Sequence, residues 1–359
     1  MPIAGHDSLL LKARRHSLAA LVAEDLASRV GRKPGESVLV SLSGGPDSTA
    51  LLVLVWAITQ REDPRPGVSA VHVHHHLRAS ADGDVDSCRR LCARLGVPLT
   101  VVDVYPERGV GGLAARARRL RHEAVEQVAR EQATPWILMG HQADDVLETI
   151  LMRLGRGTRG RGLGGIPWRR AGLAWGSVRV GRPLLAQSRE SLERFCRDCE
   201  VEFAVDESNR SEHSARGHLR SGVVGALAKR WPSIALHASR AADEGRCGHW
   251  ALGEIAARDG WTVEVIDRSR FRDAGVTKSR ALLARAMELR GLPVSAALVR
   301  GVVAAACGAE TRPRQFADTG VEVEVRARAV RVRAACGGTT AKLRSKRSSA
   351  RAADSQGTP

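Results

Sequence analysis

The chain has few aromatic residues and lacks the long apolar runs that mark membrane proteins. Aromatic side chains make up 3% of its 359 residues, whereas apolar residues make up 43%, which is enough for a hydrophobic core. No run approaches about 20 apolar residues, so we expect no membrane span and no membrane partner. The first residues (MPIAGHDSLLLKARR) show no basic segment leading into an apolar one, and no signal peptide is predicted.

Cysteines are also few. The seven cysteines are an odd number scattered along a long chain, which argues against a disulfide scaffold and predicts reduced thiols in a cytoplasmic protein. Cys196 and Cys199 form a CxxC pair, a spacing used for sulfur transfer and for iron–sulfur clusters. The pair falls on a predicted helix over 189–200 with no third cysteine nearby in the sequence, so we interpret its spacing as accidental.

Lysine is scarce as well, although positive charge is abundant. Lysine supplies only 6 of the 56 basic residues, and the formal net charge is +17. Residues 341–359 hold five basic residues and one acidic residue, so they account for +4 and leave +13 on the rest of the chain. This excess predicts a polyanionic partner, and the lack of a basic amphipathic anchor favours nucleic acid over a membrane surface.

Strand and helix patterns alternate through the first half of the chain. The predicted strands are 38–42, 68–73, 99–104 and 136–139, and the predicted helices between and after them are 48–59, 82–95, 112–131 and 143–154. An amphipathic helix over 9–30 precedes them. The alternation predicts an α/β fold with a doubly wound, mainly parallel sheet, whose ligands bind at the carboxyl ends of the strands.

The later sequence predicts a second, smaller domain that is mostly helical and of α+β type. Apolar spacing predicts that 221–252 is mostly helical and that 279–289 and 295–306 form two more helices, and the alternating stretch 321–334 predicts one or two strands. We therefore expect three parts: residues 1–220, a helical linker with a small C-terminal domain over 221–337, and a disordered basic tail over 338–359. The glycine- and arginine-rich stretch 155–165 predicts neither helix nor strand. It is either a surface loop or a mobile clamp over substrate phosphates.

The string SGGPDS at 43–48 joins a predicted strand to a predicted helix. Two glycines let the backbone approach a phosphate, and the free N–H groups of a helix start point at it. The string lacks the lysine and the glycine spacing of a Walker A loop. It is either a tight turn capped by Ser48 or an anion-binding loop, and the complete string favours the loop.

A second set of polar residues follows the predicted strand 136–139. Asp145 and Glu148 stand three apart and so share one side of the first turn of a helix. Acidic residues there also complement the helix dipole. Their place at the carboxyl end of a strand favours a functional reading, in which they hold Mg²⁺, orient an amine, or do both.

Four histidines close the strand 68–73. In an extended chain His72, His74 and His76 face one side and His75 faces the other. Neither zinc-finger spacing nor an HExxH helix is present, so the position favours contact with adenosine or substrate over a zinc site.

These strings together resemble the tRNA(Ile)-lysidine synthetases, members of the PP-loop superfamily of N-type ATP pyrophosphatases. They are SGGPDS at 43–48, HVHHHLR at 72–78, ARARRLRH at 115–122, GHQADDVLET at 140–149, RPLL at 182–185, and DESN with RGHLR within 206–220. The resemblance covers about residues 38–220 and implies an adenine nucleotide alpha-hydrolase-like fold.

The resemblance also implies a reaction. ATP, with Mg²⁺, adenylates the 2-carbonyl of the wobble cytidine in the CAU anticodon of an isoleucine tRNA and releases pyrophosphate. The ε-amine of free L-lysine then displaces AMP and gives lysidine. A tRNA-binding C-terminal domain, a cytoplasmic location and a homodimer are consistent with this family.

By the same resemblance, individual residues receive roles. Those expected at the ATP site are Ser43, Gly44, Gly45, Asp47, Ser48, His72 and His141, with Asp47 also holding the metal. The expected catalytic residues are Asp47, Asp145, Glu148 and Arg121, of which Asp145 and Glu148 contact the cytidine and lysine and Arg121 supports the adenylated base. Residues expected to contact tRNA or substrate are Arg78, Arg116, Asp144, Arg156, Arg159, Arg216 and Arg220.

Several positions depart from the family. This chain has His74 and His76 where Asn and Gly are usual, Ala114 for Glu, His122 for Tyr and Gly217 for Asn. Three alternatives therefore stay open: a tRNA 2-thiolation enzyme with working cysteines, a small-molecule amidating ligase of the GMP or NAD synthetase type, and a non-catalytic RNA-binding protein with a relic loop.

Overall fold

The computed structural model of the chain shows two compact units, Met1–Cys247 and Gly248–Pro359. The residues it describes are 4–76, 81–106, 113–158, 160–173, 176, 178–204 and 215–335. The division follows Cys247 and not residue 220, because Val224 and Ala235 pack against Ala143 and Leu147 of the first unit. The predicted tail over 338–359 lies outside the described residues.

The first unit is built on a six-stranded sheet. Its strands are β1 Val38–Ser41, β2 Val68–His74, β3 Leu99–Asp103, β4 Trp136–Met139, β5 Arg169–Ala171 and β6 Arg179–Gly181. Their order across the sheet is β3-β2-β1-β4-β6-β5, and every neighbouring pair is parallel except β5 with β6. The predicted α/β class and mainly parallel sheet are confirmed. The strands β5 and β6 were not predicted, because three residues are too few to show a periodic pattern.

Helices lie between and around these strands. They are α1 Ala4–Arg15, α2 Ser17–Asp25, α3 Pro46–Thr59, α4 Ala81–Leu95, α5 Leu113–Glu131, α6 Ala143–Gly155, α7 Arg189–Asp198, α8 Ala215–His218, α9 Gly225–Arg230 and α10 Ile234–Arg258. Short π-helical turns, Leu26–Val30 and Leu219–Val224, follow α2 and α8. Helix α3 is apolar on all sides because it is buried on almost all of its surface.

Two predicted segments differ from the structure. The prediction of one helix over 9–30 was wrong, because the chain breaks at His16, whose side chain accepts a hydrogen bond from Leu18 N and caps α2. The prediction that 155–165 contains no helix was also wrong, because Gly160–Gly164 forms a 3₁₀ turn. Arg153 Nη1 anchors this stretch by donating to the carbonyls of Gly162 and Gly165, both at 2.8 Å.

The second unit combines helices with an antiparallel sheet. Its elements are β7 Val265–Asp267, α11 Ser269–Leu289, α12 Ala296–Cys307, β8 Arg314–Asp318, β9 Val321–Val325 and β10 Ala329–Ala334. The strand order is β7-β10-β9-β8. The predicted alternation is confirmed, since Val321, Val323 and Val325 are buried while Glu322 is exposed. No helix in the described ranges is both long enough and apolar enough to cross a membrane.

A buried arginine organises this unit. Arg268 is 1% exposed, and within the described ranges its guanidinium donates to backbone carbonyls. The acceptors are Ala305, Ala306, Gly308 and Glu310 around the end of α12, and Arg326 in the turn between β9 and β10. The negative end of the α12 dipole helps to stabilise this cation.

Candidate active site

The loop after β1 has the shape of an anion cradle. Gly44 has φ +86°, a backbone conformation that favours glycine, and Gly45 caps the start of α3 with Pro46 in its first turn. The Ser48 hydroxyl accepts from Ser43 N at 3.1 Å and donates to the Gly45 carbonyl at 3.0 Å. These bonds fix the loop so that the N-terminus of α3 stays open to a phosphate.

Gly140 sets the distance between this loop and the end of β4. A Cβ at Gly140 would lie 3.1 Å from the backbone carbonyl of Asp47 and from Ser48 N. The atoms that meet are backbone atoms, which cannot rotate away. A larger residue at 140 would therefore push the first turn of α3 away from the sheet. The close approach places the loop beside the strand that leads into α6.

A cavity of about 390 Å³ opens at these strand ends. Its charged lining residues are Asp47, Asp145, Arg118, Arg121, Arg189, Arg216 and Arg220. Five arginines face two acidic residues, so the cavity suits a polyanion such as a nucleoside triphosphate. Ser43, Gly45, Ser48, His122, Gly140 and His141 also line it.

Asp47 sits in this cavity with one oxygen poorly satisfied. Its Oδ2 lies 3.5 Å from Arg189 Nη2, whereas its buried Oδ1 makes no hydrogen bond within the described part of the chain. Burial, opposed by Arg189 and assisted by the charge of Asp145, raises the pKa of Asp47 to about 7. Carboxylate oxygens are the ligands that Mg²⁺ prefers, so Asp47 fits a magnesium ion, which would favour its charged form.

The acidic residues of α6 are held quite differently. Glu148 is 1% exposed, accepts from Arg216 Nε at 2.6 Å through Oε2, and accepts from Arg220 Nε at 2.7 Å through Oε1. Asp145 Oδ1 accepts from Arg216 Nη2 at 2.6 Å and from Arg220 Nη2 at 3.2 Å. Two buried carboxylates and two partly exposed guanidiniums thus form one connected set, which we call the acid–arginine box.

The box raises the pKa of one of its arginines. Burial acts to lower the pKa of Arg220, but its hydrogen bond to Glu148 and the charges of Glu148 and Asp145 raise it above the ordinary value. All four members were predicted as site residues, and the structure brings them together although α6 and the arginines are far apart in sequence. The i, i+4 spacing of Arg216 and Arg220 lets both reach the same two carboxylates.

The start of α6 is fixed by its own side chains. Gln142 caps the helix and accepts from Asp144 N, while Asp145 Oδ2 accepts from Gln142 N at 3.1 Å. His141 precedes this cap, and its buried Nδ1 makes no hydrogen bond to the residues that the structure describes. Burial and then the charge of Arg182 lower the pKa of His141 well below its ordinary value, so the imidazole is neutral at neutral pH.

Other predicted site residues lie outside the cavity lining. His72 Nδ1 donates to the Leu42 carbonyl at 2.9 Å, and Asp144 Oδ2 accepts from Arg189 N at 3.0 Å. Arg156 follows the C-terminal end of α6, about 16 Å along the helix axis from Asp145. Gly44, Arg116 and the buried Glu148 also lie outside the lining. Arg78 and Arg159 fall outside the described residues.

Sequence reasoning missed Arg118, Arg189 and Gly140 as site residues. Arg118 belongs to the quoted string ARARRLRH, which could have indicated it. Arg189 opens α7, and its guanidinium reaches Asp47 only through the tertiary fold. The glycine that ends WILMG is a local signal for a close backbone approach at a strand end.

The CxxC cysteines pack under the loop as core groups. Cys196 and Cys199 are both buried, and the Cys196 Sγ–H donates to the Pro46 carbonyl at 3.7 Å. Burial raises the pKa of Cys196 to about 12 and that of Cys199 to about 11. Neither thiol is therefore poised to act as a thiolate nucleophile or metal ligand at neutral pH.

Comparison with known proteins agrees with this site. The chain is 38% identical over 220 residues to a tRNA(Ile)-lysidine synthase of Pseudomonas fluorescens, covering 61% of this chain and 48% of that protein. It is 34% identical over 263 residues to a tRNA(Ile)-lysidine synthase of Yersinia pseudotuberculosis, covering 72% of this chain and 57% of that protein. The chain spans about half the length of the curated relatives it matches.

Among solved structures, the fold is similar to that of a U34-tRNA thiolase, NcsA, from Methanococcus maripaludis, which is described with its [4Fe-4S] cluster. The TM-score is 0.52 at 18% identity, covering 62% of this chain and 77% of that one, so the likeness concerns the fold alone. The sequence profile of the ATP-binding PP-loop domain matches residues 15–227. Because that match covers more than half of the chain, the chain belongs to the PP-loop domain family.

Proposed function

We propose that this protein is a tRNA(Ile)-lysidine synthetase, which joins free L-lysine to the wobble cytidine of the CAU anticodon at the expense of ATP. One observation carries the proposal. A phosphate-binding loop and the acid–arginine box open into one cavity, with Asp47 on the first side and Asp145 on the second. A nucleotide and an amine therefore have binding groups of matching charge side by side.

The loop side suits ATP. The open N-terminus of α3 and the arginines of the cavity attract the phosphates, and Asp47 offers an unsatisfied oxygen to Mg²⁺. When bound, Mg²⁺ would neutralise phosphate charge and stabilise the departing pyrophosphate. Arg118, Arg121 and Arg189 add fixed positive charge where negative charge develops at the α-phosphate.

The box side suits lysine. An ε-ammonium carries three donors, and Asp145 and Glu148 offer carboxylate oxygens that Arg216 and Arg220 now occupy. We infer that lysine replaces some of these guanidinium contacts, which frees an arginine to face the adenylated nucleotide or the tRNA backbone. A carboxylate at this point can accept a proton from the ammonium and yield the neutral amine that attacks C2 of the cytidine.

The two steps balance. The 2-carbonyl oxygen of the cytidine forms a bond to the α-phosphorus of ATP, and the bond to pyrophosphate breaks. The ε-nitrogen then forms a bond to C2, the C2–oxygen bond breaks, and AMP leaves with that oxygen. Adenylation is needed because an amide-like carbonyl is a poor electrophile, whereas AMP is a good leaving group.

Charge supports an RNA substrate over a small molecule. The chain outside residues 341–359 carries +13, obtained as +17 less +4. A small-molecule amidating ligase has no need of such a surface, whereas tRNA binding uses it to neutralise phosphates. We propose that the second unit contributes to tRNA binding.

The test is a product assay on the full chain. Protein is incubated with ATP, Mg²⁺, isotope-labelled lysine and an isoleucine tRNA transcript bearing CAU. The tRNA is then digested, and the mass of the anticodon nucleoside is measured by mass spectrometry. We expect a cytidine heavier by lysine less one water, together with AMP. Asp145→Asn should abolish this product, whereas Glu190→Gln, at an exposed pair with Arg194, should retain it.

Three outcomes would contradict the proposal. AMP formation with unlabelled RNA points to another nucleophile, and tRNA binding without AMP points to a non-catalytic RNA-binding protein. A sulfur-bearing nucleoside that disappears in Cys196→Ala would identify a thiolation enzyme instead, against the high pKa of that thiol. ATP binding by Asp145→Asn shows whether that variant is folded.

A further inference from the structure

The carboxyl ends of β2 and β3 bring together three potential metal ligands, none of which lines the cavity. His74 and Asp103 end their strands and are direct partners in the parallel register. Two residues later, His76 adopts φ +51°, a left-handed conformation that turns its ring back toward them. The three ligand atoms lie within 4.8 Å of one another.

The distances are short for three groups that all carry lone pairs. His76 Nε2 lies 2.9 Å from His74 Nδ1 and 2.8 Å from Asp103 Oδ1. His74 Nδ1 lies 3.5 Å from Asp103 Oδ1. A ring nitrogen has one in-plane site for a proton or a lone pair, so His76 Nε2 can make a well-directed hydrogen bond along only one of its two short contacts, whichever tautomers are present.

We propose that His74, His76 and Asp103 form a binding site for a divalent transition-metal ion of the zinc class. Such an ion accepts one lone pair from each group. A tetrahedral zinc ion with bonds of about 2.1 Å separates its ligand atoms by about 3.4 Å. Each of the three observed separations lies within about 0.6 Å of this value, so small side-chain rotations suffice.

The donor set selects the class of metal. Two imidazoles and a carboxylate suit zinc, nickel, copper or cobalt, whereas Mg²⁺ and Ca²⁺ prefer oxygen ligands only. Tyr105 stacks on the His76 ring with centroids 4.7 Å apart and planes at 5°, which holds the ring in its orientation. His74 is buried while His76 and Asp103 are exposed, which leaves an entry path and a fourth position for water.

The ion would tie β2 to β3 at the strand ends. None of its three ligands lines the cavity that holds Asp47 and Asp145. The site therefore stands or falls independently of the proposed lysidine chemistry. It also gives a physical role to two histidines that depart from the resembled family.

Cobalt is the probe that tests this site, because four-coordinate Co²⁺ absorbs visible light and hydrated Co²⁺ absorbs far less. The full chain is treated with a chelator, dialysed and titrated with Co²⁺, and Zn²⁺ is then added in competition. We expect one equivalent of Co²⁺ to give a visible band that Zn²⁺ bleaches. Loss of an outer-shell partner alone weakens metal sites about 10–100-fold, so His76→Gln and Asp103→Asn should each weaken binding more than about 100-fold.

His75→Gln is the matched control, since His75 is the neighbouring histidine outside the three-ligand set. It should keep the band. A wild-type chain without the band, or a band that His76→Gln retains, would overturn the proposal. Thermal unfolding shows whether each variant is folded. Zn²⁺ should raise the Tm of the wild type and of His75→Gln. An equal rise in the Tm of Asp103→Asn would contradict the site.

Discussion

Asp47 and Asp145 line one cavity, and Glu148 shares the guanidinium partners of Asp145, yet the oxygens of Asp47 and those of this pair have opposite surroundings. The buried Oδ1 of Asp47 has no hydrogen-bond partner among the described residues, and burial raises the pKa of Asp47 to about 7. Asp145 and Glu148 are saturated by two guanidiniums. The difference indicates that Asp47 is suited to bind an added cation. Asp145 and Glu148 already bind two guanidiniums, and an amine can bind to them only by displacing some of those contacts.

The largest expected effect on stability comes from a substitution that disrupts the acid–arginine box. Glu148→Gln removes one of the two carboxylates that face the partly exposed guanidiniums of Arg216 and Arg220. Removing one partner of a fully buried ion pair costs about 3–5 kcal/mol, and the solvent exposure of both arginines reduces this cost to about 1–3 kcal/mol. We expect a loss of this size in the free energy of unfolding, measured by urea unfolding. Glu190→Gln removes an exposed pair and should change it by less than about 1 kcal/mol. Equal losses in the two variants would show that the box stabilises the fold no more than an exposed ion pair does.

Asp47→Asn tests the raised pKa of Asp47 through the pH dependence of stability. Because the pKa of Asp47 is raised on folding, the folded chain holds a proton that the unfolded chain has lost between about pH 4 and pH 7. This group therefore makes the free energy of unfolding fall as the pH rises through that window. Asp47→Asn should remove that fall and be the more stable protein at pH 8, while losing ATP turnover. Urea unfolding of both proteins from pH 4 to pH 8 measures it, and parallel pH profiles would contradict the shift.

Gly140→Ala tests the close backbone contact between the end of β4 and Asp47. The added Cβ would lie 3.1 Å from the backbone of Asp47 and Ser48 in the first turn of α3 and displace it, and such overpacking costs about 1–3 kcal/mol. We expect kcat/KM for ATP to fall about tenfold or more, measured by AMP release. Gly155→Ala has no atom within 4 Å of its Cβ and should leave this rate unchanged. A normal rate in Gly140→Ala would show that the loop does not need this close approach.

The smallest effect is expected beneath the loop. Cys196→Ala removes a buried thiol and its contact with the Pro46 carbonyl, at a cost of about 1 kcal/mol in stability. Lysidine formation should stay close to the wild-type rate, since Cys196 belongs to the hydrophobic core and does not line the cavity. Mass analysis of the anticodon nucleoside measures it. Loss of product in a folded Cys196→Ala protein would give the sulfur a chemical role.

The sequence predicted this site unevenly, and the reason lies in sequence distance. The SGGPDS loop and the Asp145 and Glu148 spacing are local patterns at strand ends, so both were found. Arg189 contacts Asp47 only because α7 packs beside the loop. Asp103 contacts His74 and His76 only because β2 and β3 pair in parallel register. No pattern along the chain records such contacts.

Element boundaries show the same limit. The central strands and helices were predicted because their periodic patterns are long, whereas β5 to β7 are only three residues each. The break at His16 depends on one capping hydrogen bond, which apolar spacing does not reveal. The division after Cys247 depends on Val224 and Ala235 packing against α6, a tertiary contact that no composition change marks.

Arg268 has a consequence for how the second unit can vary. Its guanidinium requires carbonyls at Gly308, Glu310 and Arg326, which lie in connections where insertions are normally tolerated. An insertion or deletion there would withdraw acceptors from a buried cation, at the cost of an unsatisfied charge. Lysine cannot replace it, because three donors on one nitrogen do not reach carbonyls arranged around a planar fork. Relatives that keep this arginine should therefore conserve the lengths of these two connections even where their sequences diverge.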